Sequence, residues 1–140
     1  MFYNCTNLKN IIWGDFEFNS YLISIKYMFY GCTSLESMDL FYTGNVTNFS
    51  HSFRMCTNLK DIPVYDTSKA TDFTSMFANC NSLTDTSIDN ILQMCINATS
   101  YTGTKTLVTL GFTDTMATAE KIQGLPHYSD FTTAGWTIGY

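Results

Sequence analysis

The side chains with the widest chemical reach in this chain are its five cysteines. Four of them, Cys5, Cys32, Cys56 and Cys80, follow one another at intervals of 27, 24 and 24 residues. Thiolates at such positions would serve a metal, a disulfide or redox chemistry. The chain has no Cys-x-x-Cys pair and no histidine pair at zinc-ligand spacing, so the ligand geometry of a zinc site is missing. In stacked repeats, like positions lie roughly 4.8 Å apart with parallel side chains. That holds their Cβ atoms beyond the roughly 3.5–4.5 Å a disulfide needs. The expectation is a column of buried, reduced thiols filling the turns, with Cys95 packed on a helix of its own.

The remaining reactive residues are sparse. His51 and His127 have no cysteine or carboxylate pattern beside them, and no nucleophile elbow, zincin or phosphate-loop motif occurs. Asp66, Asp72, Asp85 and Asp89 have the residue type of a calcium set, but they fall at turns and helix starts, where carboxylates belong without a metal. Asn4, Asn45, Asn48 and Asn97 each open an Asn-x-Ser/Thr triplet, which matters only in a secreted eukaryotic chain. No enzyme activity, metal or cofactor is expected.

Composition narrows the partners. Seven Lys/Arg against twelve Asp/Glu leave a formal charge of −5, and charged residues are only 14% of the 140. Without a basic cluster, nucleic acid and anionic membrane surfaces are poor partners. The apolar runs are a few residues long, too short to span a bilayer.

Positioning these side chains is a repeat. Met28-Phe29-Tyr30-Gly31-Cys32-Thr33-Ser34-Leu35 returns around Phe53–Leu59 and Met76–Leu83, and the chain opens with it at Met1–Leu8. The leucines Leu8, Leu35, Leu59 and Leu83 step by 27, 24 and 24, and a further 24 reaches Leu107. Apolar residues follow in one frame, as Leu8/Ile11/Trp13, Leu35/Met38/Leu40, Leu59/Ile62/Val64 and Leu107/Leu110/Phe112; Thr86 breaks it after Leu83. This is the leucine-rich pattern of one short strand per repeat. The stripes Leu22/Ile25/Met28/Phe29, Val46/Phe49/Ser52/Phe53 and Ala70/Phe73/Met76/Phe77 have helical spacing. The predicted fold is therefore an α/β solenoid: a right-handed leucine-rich-repeat coil of short parallel strands and short helices, with a period of about 24 residues.

Asp66-Thr67-Ser68-Lys69-Ala70-Thr71-Asp72-Phe73-Thr74-Ser75-Met76-Phe77-Ala78-Asn79-Cys80, with Asn45–Ser50 as a partial copy, resembles the unit of the BspA-like leucine-rich repeats. The resemblance covers residues 1 to about 83. It departs at Ile23–Tyr27, where one repeat is three residues longer, and at Ser52, which stands where the unit has methionine. It implies surface-exposed or phage-associated proteins that bind other proteins, and it carries over no catalytic residues.

Residues 1–83 thus read as repeats and 84–140 as a divergent last repeat and cap. Within the cap, Ser87–Asn97 is an amphipathic helix with Asp85 or Thr86 as its cap. Leu107 opens a strand. Thr113–Lys121 reads as a helix stopping at Gly124, and Ser129-Asp130 starts a short one before Gly135. The outward strand positions, Lys9, Asn10, Ile12, Glu36, Ser37, Asp39, Lys60, Asp61 and Pro63, form the expected binding face. Tyr30, Tyr42 and Tyr65 are further exposed candidates. The expected function is a non-enzymatic protein- or glycan-binding, adhesive module, surface-exposed, secreted or virion-attached; the alternative is a structural spacer within a larger particle. Because the motif starts at Met1, the N-terminal end is expected to be open, favouring self-association or a partner chain there.

Overall fold

The computed structural model describes residues 1–13 and 21–140. Among these, regular structure is scarce. Strand β1 (Asn10–Ile11) pairs in parallel with β2 (Ser37–Met38), and three helices follow, α1 (Asp85–Asn97), α2 (Ala119–Gln123) and α3 (Tyr128–Thr133). This overturns the α/β solenoid with its leucine-rich strands and a helix in every repeat. The strands are two residues long, and the stripes predicted as helices form single turns.

The backbone explains the missing helices. Tyr27, His51 and Ser75 take φ of 56°, 56° and 53°, and Gly31, Met55 and Asn79 take 71°, 64° and 65°. A left-handed residue ends a right-handed helix after one turn. Short bonds then close each turn, such as Met28 N–H to the Ile25 carbonyl at 2.9 Å. The amides a helix would use internally go sideways instead. Phe29 donates to the Ser52 carbonyl and Gly31 to that of Arg54, both at 2.9 Å, while Phe53 donates to Met76 at 3.0 Å. Neighbouring segments are thus laced in parallel, with Ser24 beside Asn48 and Asn48 beside Asp72.

Beneath the turns runs a column of rings. Phe2, Phe29, Phe53 and Phe77 stack with centroids 5.5, 5.3 and 5.5 Å apart and planes within 9° of parallel. Phe112 ends the column edge-on, at 71° to Phe77. Each such pair adds about 0.5–1.5 kcal/mol beyond the area it buries. The cysteines lie alongside. The thiols of Cys32, Cys56 and Cys80 donate to the carbonyls of Phe2, Phe29 and Phe53 at 3.0, 3.1 and 3.0 Å. Each of these carbonyls also accepts a turn amide, from Cys5, Cys32 and Cys56, so the thiol is a second donor to an acceptor that the lateral bonds do not use.

The third place of the apolar frame is its variable one: Phe112 is buried, Trp13 and Val64 are half-buried, and Leu40 turns out. Leu35, Met38, Leu59, Ile62, Leu107 and Leu110 are buried, whereas Leu40 is 60% exposed. Phe41 and Tyr65, one residue further along, turn in instead; their rings meet at 5.0 Å. In a two-residue strand, alternation does not persist far enough to direct the sixth position inward.

Helix α1 covers the strand edge where another rung would lie. Thr84, not Asp85 or Thr86, is its N-cap, and its hydroxyl accepts from Ser87 N–H. Ser87 Oγ donates to the Lys60 carbonyl at 2.8 Å and accepts from Ile62 N–H at 3.0 Å, and Asn90 donates to the Ile62 carbonyl at 2.9 Å. Side chains of a helix thus satisfy a strand edge that would otherwise invite pairing. Residues 107–112 turn rather than extend; the strand expected at Leu107 reduces to a parallel pairing of Thr106 with Thr137. Helix α2 is shorter than predicted and ends at Gly124. Trp136 is buried against Tyr101, with centroids 5.3 Å apart, and against Phe131.

Candidate functional site

The expected binding face forms a surface, and its polar groups largely satisfy one another. Lys9, Asn10, Ile12, Asp39, Lys60 and Asp61 are exposed, and Glu36, Ser37 and Pro63 half-buried. The register sets Asn10 beside Ser37 and Ser37 beside Asp61. Ser37 Oγ donates to Asn10 Oδ1 at 2.9 Å. Lys60 Nζ lies 2.9 Å from Glu36 Oε2, and this hydrogen bond holds the Glu36 carboxyl below its ordinary range.

The turn edge of the same layers is different. Tyr3, Tyr30 and Arg54 are spaced by 27 and 24 residues, and Tyr27 and His51 by 24, the intervals of the cysteines. The lateral bonds that lace the layers bring these two columns to the surface side by side. The Tyr3 and Tyr30 rings stack at 5.0 Å with planes 6° apart, and those of Tyr27 and His51 at 4.7 Å and 3°. The two stacks stand steeply to each other: Tyr27 meets Tyr3 at 68° and Tyr30 at 63°. They form a corner that Arg54 completes, enclosing an open pocket of about 490 Å³. The next residues in the columns, Ser75 and Ala78, are small, so the aromatic wall ends there.

The corner holds groups left without protein partners. His51 Nδ1 and Arg54 Nε are buried with no hydrogen-bond partner among the described residues. Arg54 is the sole arginine of the chain, and no carboxylate pairs with it among the described residues. Lys26 Nζ sits 5.4 Å from the Tyr27 ring centroid. Burial first, then the charges of Arg54 and Lys26, holds the His51 imidazole below its ordinary pKa, against the opposing pull of Asp72. Asp72 is itself engaged, by Thr74 N–H at 2.9 Å and by Asn48 at 3.4 Å. Tyr27 and His51 both sit at positive φ, a geometry that costs a bulky side chain about 1–2 kcal/mol. Such strain is held in place by the surrounding bonds and is concentrated at working surfaces.

Of the tyrosines singled out from sequence, Tyr30 belongs to this corner and Tyr42 is exposed elsewhere, but Tyr65 is fully buried and not a surface residue. Tyr3, Tyr27 and Arg54 are not among the sequence candidates, and His51 is weighed there only for catalysis, because cysteine and leucine spacing does not pass through these positions. Following the residues at +27 and +24 from Tyr3 would have found three of the five wall positions.

Other candidate groups are occupied structurally. All five cysteines are free, and burial raises Cys56 to about 12 and Cys80 well above its ordinary value. His127 has a carboxylate partner that spacing could not reveal: Asp89, 38 residues away, accepts from its backbone N–H at 2.9 Å and lies 2.7 Å from its Nδ1. This clasp ties α1 to the start of α3. Asp66 Oδ1 accepts from Ser68 N–H and Oγ, and Asp85 pairs with Lys121 at 2.5 Å. Among the described residues no group of His, Cys, Asp and Glu is arranged to hold a metal ion, and no helix is long and apolar enough to cross a membrane.

Comparison with known proteins gives one finding. No curated protein and no solved structure matches the chain. A family model described as "Mycoplasma protein of unknown function, DUF285" matches residues 1–106, the region that contains the cysteine column, the phenylalanine stack and the aromatic corner. The chain belongs to the DUF285 family.

Proposed function

We propose that this chain is a non-enzymatic binding module of a surface-exposed, secreted or virion-attached protein, and that it engages a protein or glycan through the corner of Tyr3, Tyr27, Tyr30, His51 and Arg54. One observation carries the reading: a wall of stacked rings edged by a guanidinium that no carboxylate pairs among the described residues. Tyrosine and arginine carry binding energy disproportionately, because they offer large rigid faces and fixed donors at low entropic cost. The resemblance of the repeat unit to BspA-like surface proteins supports the setting.

The test is an array of extracellular proteins and glycans probed with the isolated chain and with a Tyr27→Ala/Tyr30→Ala variant. Capture that the variant loses supports the reading. Capture that the variant retains places binding elsewhere and defeats it. The mutually paired polar groups of the ladder face favour a second reading for that face alone, as a spacer surface without an external ligand.

A further inference from the structure

Resting on that reading of the corner, we infer that its ligand is an acidic saccharide, with a sugar ring on the tyrosine faces and its carboxylate on Arg54. The charge argument comes first. In a chain of formal charge −5, this corner gathers Lys26 and the single arginine. Lys60 and Lys121, by contrast, are neutralised by Glu36 and Asp85. Arg54 is half-buried and pairs with no carboxylate among the described residues, and the terminal nitrogens of its guanidinium form a planar pair of donors that one carboxylate accepts at once. Asp72 faces Lys26 and His51 but is engaged by Thr74 and Asn48 and makes no ion pair with Arg54, so a ligand carboxylate would be the partner that Arg54 lacks.

The shape argument selects sugar over peptide. A protein anchor residue wants a deep, desolvated apolar pocket. Here the pocket is open, and the residues that line it alternate aromatic rings with phenol hydroxyls, an imidazole and a guanidinium. A pyranose matches that alternation, with an apolar C–H face for a ring and hydroxyls around its rim. The two stacks are steeply inclined to each other, so a sugar lying against one has the other, with His51, at its side.

The experiment titrates the isolated chain by calorimetry with three probes. These are an unsulfated oligosaccharide containing glucuronic acid, the same oligosaccharide with its carboxyls reduced to alcohols, and a glutamate peptide of equal charge. The acidic oligosaccharide should bind, and carboxyl reduction should weaken it by about tenfold or more. Arg54→Lys should weaken it comparably, because an ammonium cannot form the two-pronged contact. Tyr27→Ala should weaken the acidic and reduced sugars alike, and Lys60→Ala should change neither. Unchanged melting of Arg54→Lys secures the comparison. Equal affinity for the reduced sugar, equal affinity for the glutamate peptide, or no binding of the acidic sugar overturns the inference. If arrays then find another ligand that is lost on Tyr27→Ala/Tyr30→Ala, the corner remains a binding site and only its assignment to acidic sugar fails.

Discussion

The two long surfaces of these stacked layers are built on the same register yet differ in kind. On the ladder face, Lys60 meets Glu36 and Ser37 meets Asn10, so polar groups cancel within the protein. On the turn edge, 24- and 27-residue spacing stacks tyrosine on tyrosine and histidine on tyrosine, and leaves Arg54 Nε and His51 Nδ1 unpartnered. A repeat therefore multiplies whatever its outward positions carry. Opposite charges at equivalent positions pair within one face, and on the other, rings stack beside a guanidinium that no carboxylate among the described residues pairs. The turn edge is also the better anchored, because the phenylalanine column lies directly beneath it.

That anchoring predicts the largest effect. Phe53 is fully buried between Phe29 and Phe77, and Phe53→Ala should cost about 3–5 kcal/mol in denaturant unfolding. A loss below about 1 kcal/mol would mean that the column does not support the edge. Next is the thiol column. Cys56→Ala removes the second donor of the Phe29 carbonyl, which keeps the Cys32 N–H, and should cost about 1 kcal/mol. In the native protein the half-buried Cys5 should react with a thiol reagent well before the buried four, which should wait for unfolding. Uniform labelling of all five would sink this part of the account.

A smaller effect separates the surfaces by pH. Folding lowers the pKa of His51, so between the ordinary imidazole value of 6.5 and the lower native one the unfolded chain binds the extra proton. Stability should therefore fall as pH drops through that window, and His51→Gln should flatten the slope. Asp66 and Asp72, also held low, act only in the more acidic carboxylate range and do not obscure it. The smallest effect belongs to the ladder face. Lys60→Ala removes an exposed ion pair and should change stability by under about 0.5 kcal/mol.

What could be read in advance follows from what a period encodes. The intervals of Cys5, Cys32, Cys56 and Cys80 reappear in the thiol-to-carbonyl bonds and the ring column, because side-chain identity at fixed spacing sets which layers touch. The helices predicted from Leu22, Ile25, Met28 and Phe29 fail for a reason spacing does not contain. Tyr27 enters the left-handed region although nothing about a tyrosine announces it, and lateral hydrogen bonds outweigh the helical ones. Leu40 and Phe41 exchange inward and outward roles for a similar reason, since strands this short leave side-chain direction to the next turn. The clasp of Asp89 on His127 spans too many residues for any local pattern. The corner is half legible in sequence: Tyr30 and His51 stand out singly, but their juxtaposition with Tyr3, Tyr27 and Arg54 rests on columns other than those of cysteine and leucine.

The central claim is that recognition resides on the turn edge and not on the ladder. It is tested most directly by measuring captured-ligand affinity for two single variants side by side, Tyr27→Ala on the edge and Lys60→Ala on the ladder. The account predicts that Tyr27→Ala weakens binding by about tenfold or more, as loss of a central aromatic anchor does, while Lys60→Ala leaves affinity unchanged. Loss of binding in Lys60→Ala with Tyr27→Ala unaffected would contradict it.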